Sequence, residues 1–323
     1  MKVLIVHSDV PPDASADELD VLEQAYAVQA SLLRLGHDVA KLPFTLNFDT
    51  FKASVAAEKP SLIFSLIESV LGKVQFTHHG AGFLDMLGLP YTGCSSAALS
   101  TTTDKILTKR LLVSAGLPTP AWVLAGDAAS ERNFVPGRAY IIKSLYEEAS
   151  DGIDDKSVGA FSSIEDLRVA LASRAGTFAE EYIPGREFNI SVIIGPQGPE
   201  ILPFAEILFV DYPAGKPRIV GYDAKWQEDS FEFKHTRRTF QARPGDAPLQ
   251  QKLKEICLAC WQLFGLSGYA RVDLRVDEEG HPQVLEINAN PCISPGAGLP
   301  AAAAQAGMSY DELISGIVSA ASI

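Results

Sequence analysis

Arg271, Asp273, Glu286 and Asn288 are the residues whose types and spacing point most directly to chemistry. Arg271-Val272-Asp273-Leu274-Arg275-Val276 alternates polar and apolar side chains, the period of a half-buried strand, and Glu279-Gly280 supplies a turn. Gln283-Val284-Leu285-Glu286-Ile287-Asn288 then returns with the same alternation. Side chains at i and i+2 share a face of a strand, so the spacing predicts a hairpin with Asp273, Glu286 and Asn288 on one side. Two carboxylates and an amide oxygen form a hard-cation ligand set, suited to a magnesium ion that keeps its other positions for water and phosphate. The same alternation also describes the solvated face of an ordinary antiparallel hairpin, and spacing alone leaves both readings open. The Pro/Gly-rich run 290–300 at the end of the second strand, shaped to wrap something, favours the ligand site.

The remaining elements must hold this hairpin. Residues 1–100 alternate strand and helix patterns. Lys2–His7 is an apolar strand, 17–35 a helix closed by Gly36, Asp38–Pro43 a second strand, 61–67 a third, and 76–87 a helix ending at Gly88, with Tyr91 opening a short strand. This order predicts an open parallel sheet, whose ligands lie at the carboxyl ends of its strands, so the segments after Val6 and Leu66 are candidate substrate walls. Ser and Thr over 100–104 read as the cap of a helix from Lys105 to Gly116, and Pro118 and Pro120 mark a linker. Lys143 ends the apolar strand 139–142, where an ammonium can meet a phosphate as a point charge; Lys105, in a first helical turn, suits a phosphate or plain solvation. The run 145–159 has the Glu/Asp/Ser/Gly composition of a mobile loop whose backbone N–H groups can cradle an anion. Further strands are expected over 177–183, 188–194 and 201–209, a helix over 249–264, and an Ala-rich helix pair over 299–313 around Gly307.

At 323 residues the chain suits two or three packed domains. A formal charge of −13 argues against binding a nucleic-acid backbone, which needs clustered Lys and Arg, although a nucleotide pocket needs only a few local cations. No run approaches a membrane span and the first strand is too short for a signal peptide, so a cytoplasmic protein is expected. The four cysteines are scattered and read as no disulfide framework; Cys257 and Cys260 sit at helical spacing with Leu253, Ile256 and Leu263 and read as buried small residues.

Arg271-x-Asp273, Leu285-Glu286-Ile287-Asn288 and Asn290-Pro291, taken with Tyr91-Thr92-Gly93, Thr103-Asp104-Lys105, Gly116-Leu117-Pro118-Thr119-Pro120, Ile142-Lys143, Glu180-Glu181-Tyr182-Ile183-Pro184-Gly185-Arg186-Glu187 and Tyr222-Asp223-Ala224-Lys225, resemble the ATP-grasp ligases, specifically the D-alanine–D-alanine ligase family. The motifs come in the family's order and cover most of the chain. The resemblance implies an α/β (α+β overall) ATP-grasp fold: an N-terminal open parallel α/β substrate domain (1–100), a small central lid domain (101–182) and a C-terminal mixed-sheet catalytic domain (183–323). It implies ATP with Mg2+ or Mn2+, the metal on Asp273, Glu286 and Asn288. Lys105, Lys143 and Lys225 would meet phosphates, Lys225 also bridging to a substrate carboxylate. Glu180, Glu181, Tyr182 and Ile183 would form the adenine hinge, with Glu187 on the ribose. Arg271 and the Cys292 N–H would stabilise an oxyanion, and Ser150 belongs to the loop over the phosphates. Small amino-acid-like substrates and a homodimer are implied, with no nucleic acid and no membrane.

Several positions depart from the family. Its Gly-rich, Glu-bearing run after the first strand is replaced by His7-Ser8-Asp9-Val10-Pro11-Pro12, with Asp17 or Glu18 as candidate stand-ins, and its His-Gly pair after the third strand by Glu68-Ser69-Val70-Leu71-Gly72. Glu148 and Ala149 replace small loop residues, and Asp154-Asp155 add negative charge, making loop closure dependent on metal or Lys156. Trp226 stands for a tyrosine, Cys292 for a glycine, Ala297 for a carboxylate-binding serine and Gly298 for a leucine. Indole donates but cannot accept, so the tyrosine's network is not reproduced. The expected activity is ATP-dependent carboxylate–amine ligation of two small amino acids through an acyl phosphate. The alternatives are the same chemistry on a different acid and amine pair, a small-molecule kinase of this fold, or a non-catalytic nucleotide-binding protein. Cys292 as a nucleophile lacks a partner histidine.

Overall fold

The computed structural model describes all residues except 12, 13, 15, 147–149, 151, 322 and 323, and only the backbone of 16 and 17. Glu148, Ala149 and the side chain of Asp17 therefore lie outside the described residues.

Three sheets, each drawn from one stretch of the chain, carry the fold. The first contains β1 (Lys2–His7), β2 (Asp38–Pro43) and β3 (Leu62–Leu66), parallel and in the order β2-β1-β3. Val3 to Val6 are fully buried because helices cover both faces of β1, which is why β1 reads as a continuous apolar run rather than an alternation. Tyr91 makes only an isolated bridge to Ile63 and opens no strand. A helix at Phe48–Glu58, which the sequence pattern did not signal, packs Phe51 and Val55 inward and is capped by Asn47.

The second sheet runs β4-β7-β5-β6, with β4 (Trp122–Val123), β5 (Ala139–Ser144), β6 (Val158–Ala160) and β7 (Thr177–Glu181), over a small core of Val123, Tyr140, Ile142, Leu167, Leu171 and Ala179. Two helices lead into it. Residues 100–104 do not simply cap a helix: Ser96–Thr103 is itself helical, and Asp104 breaks to an extended ψ and caps Lys105–Ser114 by accepting from the N–H groups of Ile106 and Leu107.

The third sheet runs β11-β10-β8-β12-β13, with β9 also on β8, where β8 is Arg186–Gly195, β9 Gly198–Ile201, β10 Ala205–Phe209, β11 Thr236–Thr239, β12 Tyr269–Val276 and β13 Pro282–Asn288. Helix Ala247–Leu263 covers one face, burying Cys257 and Cys260 as free thiols in the core. The closing helices, Gly298–Gln305 and Tyr310–Ser319, turn back to the N-terminal layer. Ile293, Leu299, Leu313 and Ile317 share a core with Val3, Ile5 and Val28, and Arg34 pairs with Asp311 at 2.6 Å. The first sheet and the end of the third are thus packed into one wall.

Candidate active site

The β12–β13 hairpin has the expected face. Asp273 lies directly opposite Glu286 and Arg271 opposite Asn288, and the register shifts only after Asp273. The pleat therefore gathers all four polar side chains on one side while Val272, Leu274, Val284 and Ile287 enter the core. Arg271 grips its i+2 neighbour with two parallel bonds, Nε to Asp273 Oδ1 and Nη2 to Oδ2, both 2.7 Å. Asn288 accepts from the N–H of Asn290 at 2.9 Å through Oδ1, which keeps a second lone pair for another partner. Lys105 Nζ stands 3.9 Å from Glu286. Burial, with Glu286 beside it, pushes the Asp273 carboxyl up against the pull of Arg271. Against the cost of burial, Lys105, Lys225, Lys143 and Arg271 hold Glu286 well below the usual carboxylate range. Burial and the neighbouring Arg271 lower the Lys225 ammonium, which is also within electrostatic reach of Glu286, Asp273 and Glu187. The solvated-face reading of the hairpin fails at Asp273, which is 6% exposed. Two opposed carboxylates and a half-used amide oxygen are all-oxygen donors and fit a hard divalent cation.

The hinge is built by backbone geometry. β7 runs into Pro184-Gly185, and Gly185 has φ +128 with its α-carbon so close to β12 that a β-carbon would lie 2.1 Å from the Val276 carbonyl oxygen. Glu180 and Glu187 are not at a solvated edge, being 1% and 7% exposed. The Glu180 carboxylate points inward between two ammonium groups, Lys143 Nζ on Oε1 and Lys109 Nζ on Oε2, both at 2.5 Å. The Glu180 side chain is thus engaged by lysines, which leaves only its backbone for the expected hinge; Glu181 pairs with Arg138 at 3.0 Å. The N–H groups of Glu181 and Tyr182 bond to Ala121 and Ala139 carbonyls, and the Ile183 carbonyl accepts from Arg275, which leaves the Ile183 N–H as a hinge donor with no hydrogen bond among the described residues.

The loop after β5 meets the segment before Lys225. Ser150, at φ +66, donates to the Val220 carbonyl at 2.7 Å, and Tyr222 N–H bonds to Ile153 O at 3.1 Å. Of the acidic pair that the sequence set against phosphate, Asp155 alone has a cation partner among the described residues. Asp155 pairs with Lys216, not Lys156, and Asp154 caps the short turn Asp155–Ser157. Trp226 follows Lys225 in the short helix Tyr222–Trp226.

Cys292 is outside the left-handed region, so its β-carbon is tolerated, and its N–H makes no hydrogen bond among the described residues. Its thiol donates to Asp20 Oδ2 at 3.0 Å, and burial, then Asp20, pushes it far above the usual thiol range, which removes it as a nucleophile. Asp20 also accepts from Ser294 Oγ (3.0 Å) and Gln24 (3.0 Å), and Gln24 donates to Glu68 at 2.8 Å. Ser8, Asp9, Glu18, Glu68 and Ser69, with Val10 and Val21, line a small concavity beside this network, where the two altered segments meet. Ala297 is the N-cap of Gly298–Gln305 and brings no side-chain cap.

Sequence reasoning missed Lys109, Arg275 and Asp20. The available signals were the i+4 spacing of Lys109 from Lys105 and the i+2 spacing of Arg275 from Asp273. Asp20 lay one helical turn from the residues considered, with nothing local to mark it.

Residues 139–319 match the family model described as D-ala D-ala ligase C-terminus. The chain is 31% identical over 267 residues to an uncharacterized protein, y4sG, of Sinorhizobium fredii, covering 82% of this chain and 76% of that one. It is 28% identical over 302 residues to a D-alanine–D-alanine ligase of Aquifex aeolicus, covering 92% and 94%, and 33% identical over 249 residues to that of Bordetella pertussis, covering 74% and 72%. The crystal structure of a D-alanine–D-alanine ligase from Bacillus anthracis complexed with ATP superimposes with a TM-score of 0.73 at 22% identity, over 99% of this chain and 97% of that one, and has the same fold.

Proposed function

Since the chain belongs to the D-alanine–D-alanine ligase family of ATP-grasp enzymes and is an ATP-dependent, peptide-bond-forming ligase of that type, we propose that it activates the carboxylate of one small amino acid with ATP and joins it to the amine of a second. The observation that carries this is the hairpin face itself: Asp273 opposite Glu286, with Arg271, Lys105 and Lys225 around them. A carboxylate is a poor acylating agent, so the γ-phosphoryl of ATP first converts it to an acyl phosphate, which the amine then displaces. Asp273, Glu286 and Asn288 would hold Mg2+ or Mn2+, whose charge neutralises phosphate oxygens during transfer. Lys105, Lys143 and Lys225 bind and orient the phosphates; the backbone of Glu180, Glu181, Tyr182 and Ile183 forms the hinge beside the purine, and Glu187 accepts from the ribose. Arg271 and the Cys292 N–H donate to the oxyanion of the tetrahedral intermediate, and Ser150 belongs to the loop that keeps water out. In this reading the segments 1–100, 101–182 and 183–323 serve as substrate domain, lid and catalytic domain, in a cytoplasmic homodimer.

D-alanine, the substrate named for the relatives, is the first candidate for both positions. A different acid and amine pair is the second, favoured by the Asp20–Gln24–Glu68 network that occupies the first-substrate wall. The test is magnesium- and ATP-dependent phosphate release across D- and L-amino acids, singly and in pairs, with Asp273→Ala as control. Release with D-alanine alone, absent from the control, establishes D-alanine ligation. Release with another pair only establishes a re-specified pocket; phosphate release without any amine refutes ligation in favour of a hydrolase, and ADP formation without phosphate release refutes it in favour of a kinase.

A further inference from the structure

Arg275 has no part in the scheme above, yet it touches the groups assigned to the nucleoside. It lies two residues past Asp273 on the same face of β12, with its side chain 4% exposed. Nη2 and Nε both donate to one oxygen of Glu187, Oε2, at 2.7 and 3.2 Å. Nη1 donates to the Ile183 carbonyl at 3.0 Å, and Nη2 also reaches the Arg218 carbonyl. The guanidinium carbon stands 5.3 Å from the Tyr182 ring centroid and 5.7 Å from that of Phe209. One planar group thus ties together the hinge, β8, β10 and the segment ahead of Lys225.

The pattern of what it leaves unbound is specific. Glu187 Oε1 takes no hydrogen bond among the described residues and is not one of the buried unpartnered atoms. Two donors on one carboxylate oxygen fix the rotamer and leave the other oxygen's lone pairs open to an incoming donor. Such a donor is a hydroxyl, and a ribose offers two of them side by side. We propose that Arg275 is a nucleotide-positioning residue, which sets the Glu187 carboxylate to receive the ribose hydroxyls of ATP. The inference rests on the reading of 181–187 as the nucleotide hinge.

The test is direct binding, by titration calorimetry in magnesium buffer, of ATP and of 2′,3′-dideoxy-ATP to the full-length protein, to Glu187→Gln and to Arg275→Met. The unmodified protein and Glu187→Gln establish the hinge reading: the former binds ATP about tenfold or more tighter than the dideoxy analogue, the weight of a hydrogen bond to a charged group, and the latter loses that preference. Arg275→Met is expected to weaken ATP by a similar factor, to leave the dideoxy analogue within about threefold, and so to collapse the ratio. A preserved ratio, or an equal loss for both nucleotides, overturns the role of Arg275 and leaves the hinge reading standing. No preference in the unmodified protein overturns both. Should Arg275→Met not fold, Arg275→Gln, which keeps a donor but reaches less far, carries the same comparison.

Discussion

Replacing Lys109 by methionine tests whether a buried ion triad of Lys109, Glu180 and Lys143 acts as a unit. Lys109 and Glu180 are each 1% exposed; Lys109 Nζ lies 2.5 Å from Glu180 Oε2 and donates to Thr119 Oγ1 at 2.8 Å and the Pro120 carbonyl at 3.3 Å. Methionine keeps the stem volume and removes the ammonium. Breaking a buried pair by deleting one partner costs about 3–5 kcal/mol. Lys143 remains at 2.5 Å on the other carboxylate oxygen and still compensates the charge, so the expected loss is at the low end, about 3 kcal/mol. Glu180→Gln leaves two ammonium groups on one neutral amide and is expected to cost about the same. The double variant removes both ends of the pair and is expected to fall short of the sum of the singles by about 2 kcal/mol, within the range of coupling between contacting residues. The assay is equilibrium urea unfolding by tryptophan fluorescence, with Trp122, whose ring centroid is 5.8 Å from Lys109 Nζ, as a local reporter. Additivity within about 0.5 kcal/mol, or a single-variant cost below about 1 kcal/mol, refutes the triad as a unit.

Further outcomes follow from the same geometry. Asp273→Asn is expected to lower ATP turnover by about 10²-fold or more, and chelation to abolish turnover until Mg2+ or Mn2+ is restored; phosphate release checks both. Cys292→Ala keeps the backbone N–H and is expected to stay within a few-fold of the parent in kcat, whereas Cys292→Pro removes it and is expected to lose about 10²-fold; a dead alanine variant refutes the assignment to the N–H. The Arg186 guanidinium, bonded to both oxygens of Asp246 at 2.7 and 2.8 Å, holds that carboxyl down to about 2 from an ordinary 3.8. Its folded value is the lower one, so the pair's stabilisation is complete above the ordinary value and is lost as pH falls through about 2. Acid unfolding of Asp246→Asn should accordingly show a shallower loss between those pH values, and an unchanged slope refutes the linkage.

The β12–β13 hairpin was legible because it is local. Residues 271–288 carry their own period, their own turn and their own set of oxygen donors, and a period of 2 decides which side chains share a face before any packing is known. The same holds for β1 to β3 and for Gly185, whose close approach to β12 only a residue without a β-carbon can make. What escaped the sequence is what joins distant segments. Glu180 meets Lys143 across 37 residues, Arg275 meets Glu187 across 88, and Cys292 meets Asp20 across 272. A charged residue looks the same in a sequence whether it ends in water or inside, and only the packing of the second sheet against helix Lys105–Ser114, and of the closing helices against the first sheet, decides which charges are buried and with which partners. The type of chemistry was therefore set along the chain, while the partners that position it were set by the tertiary fold.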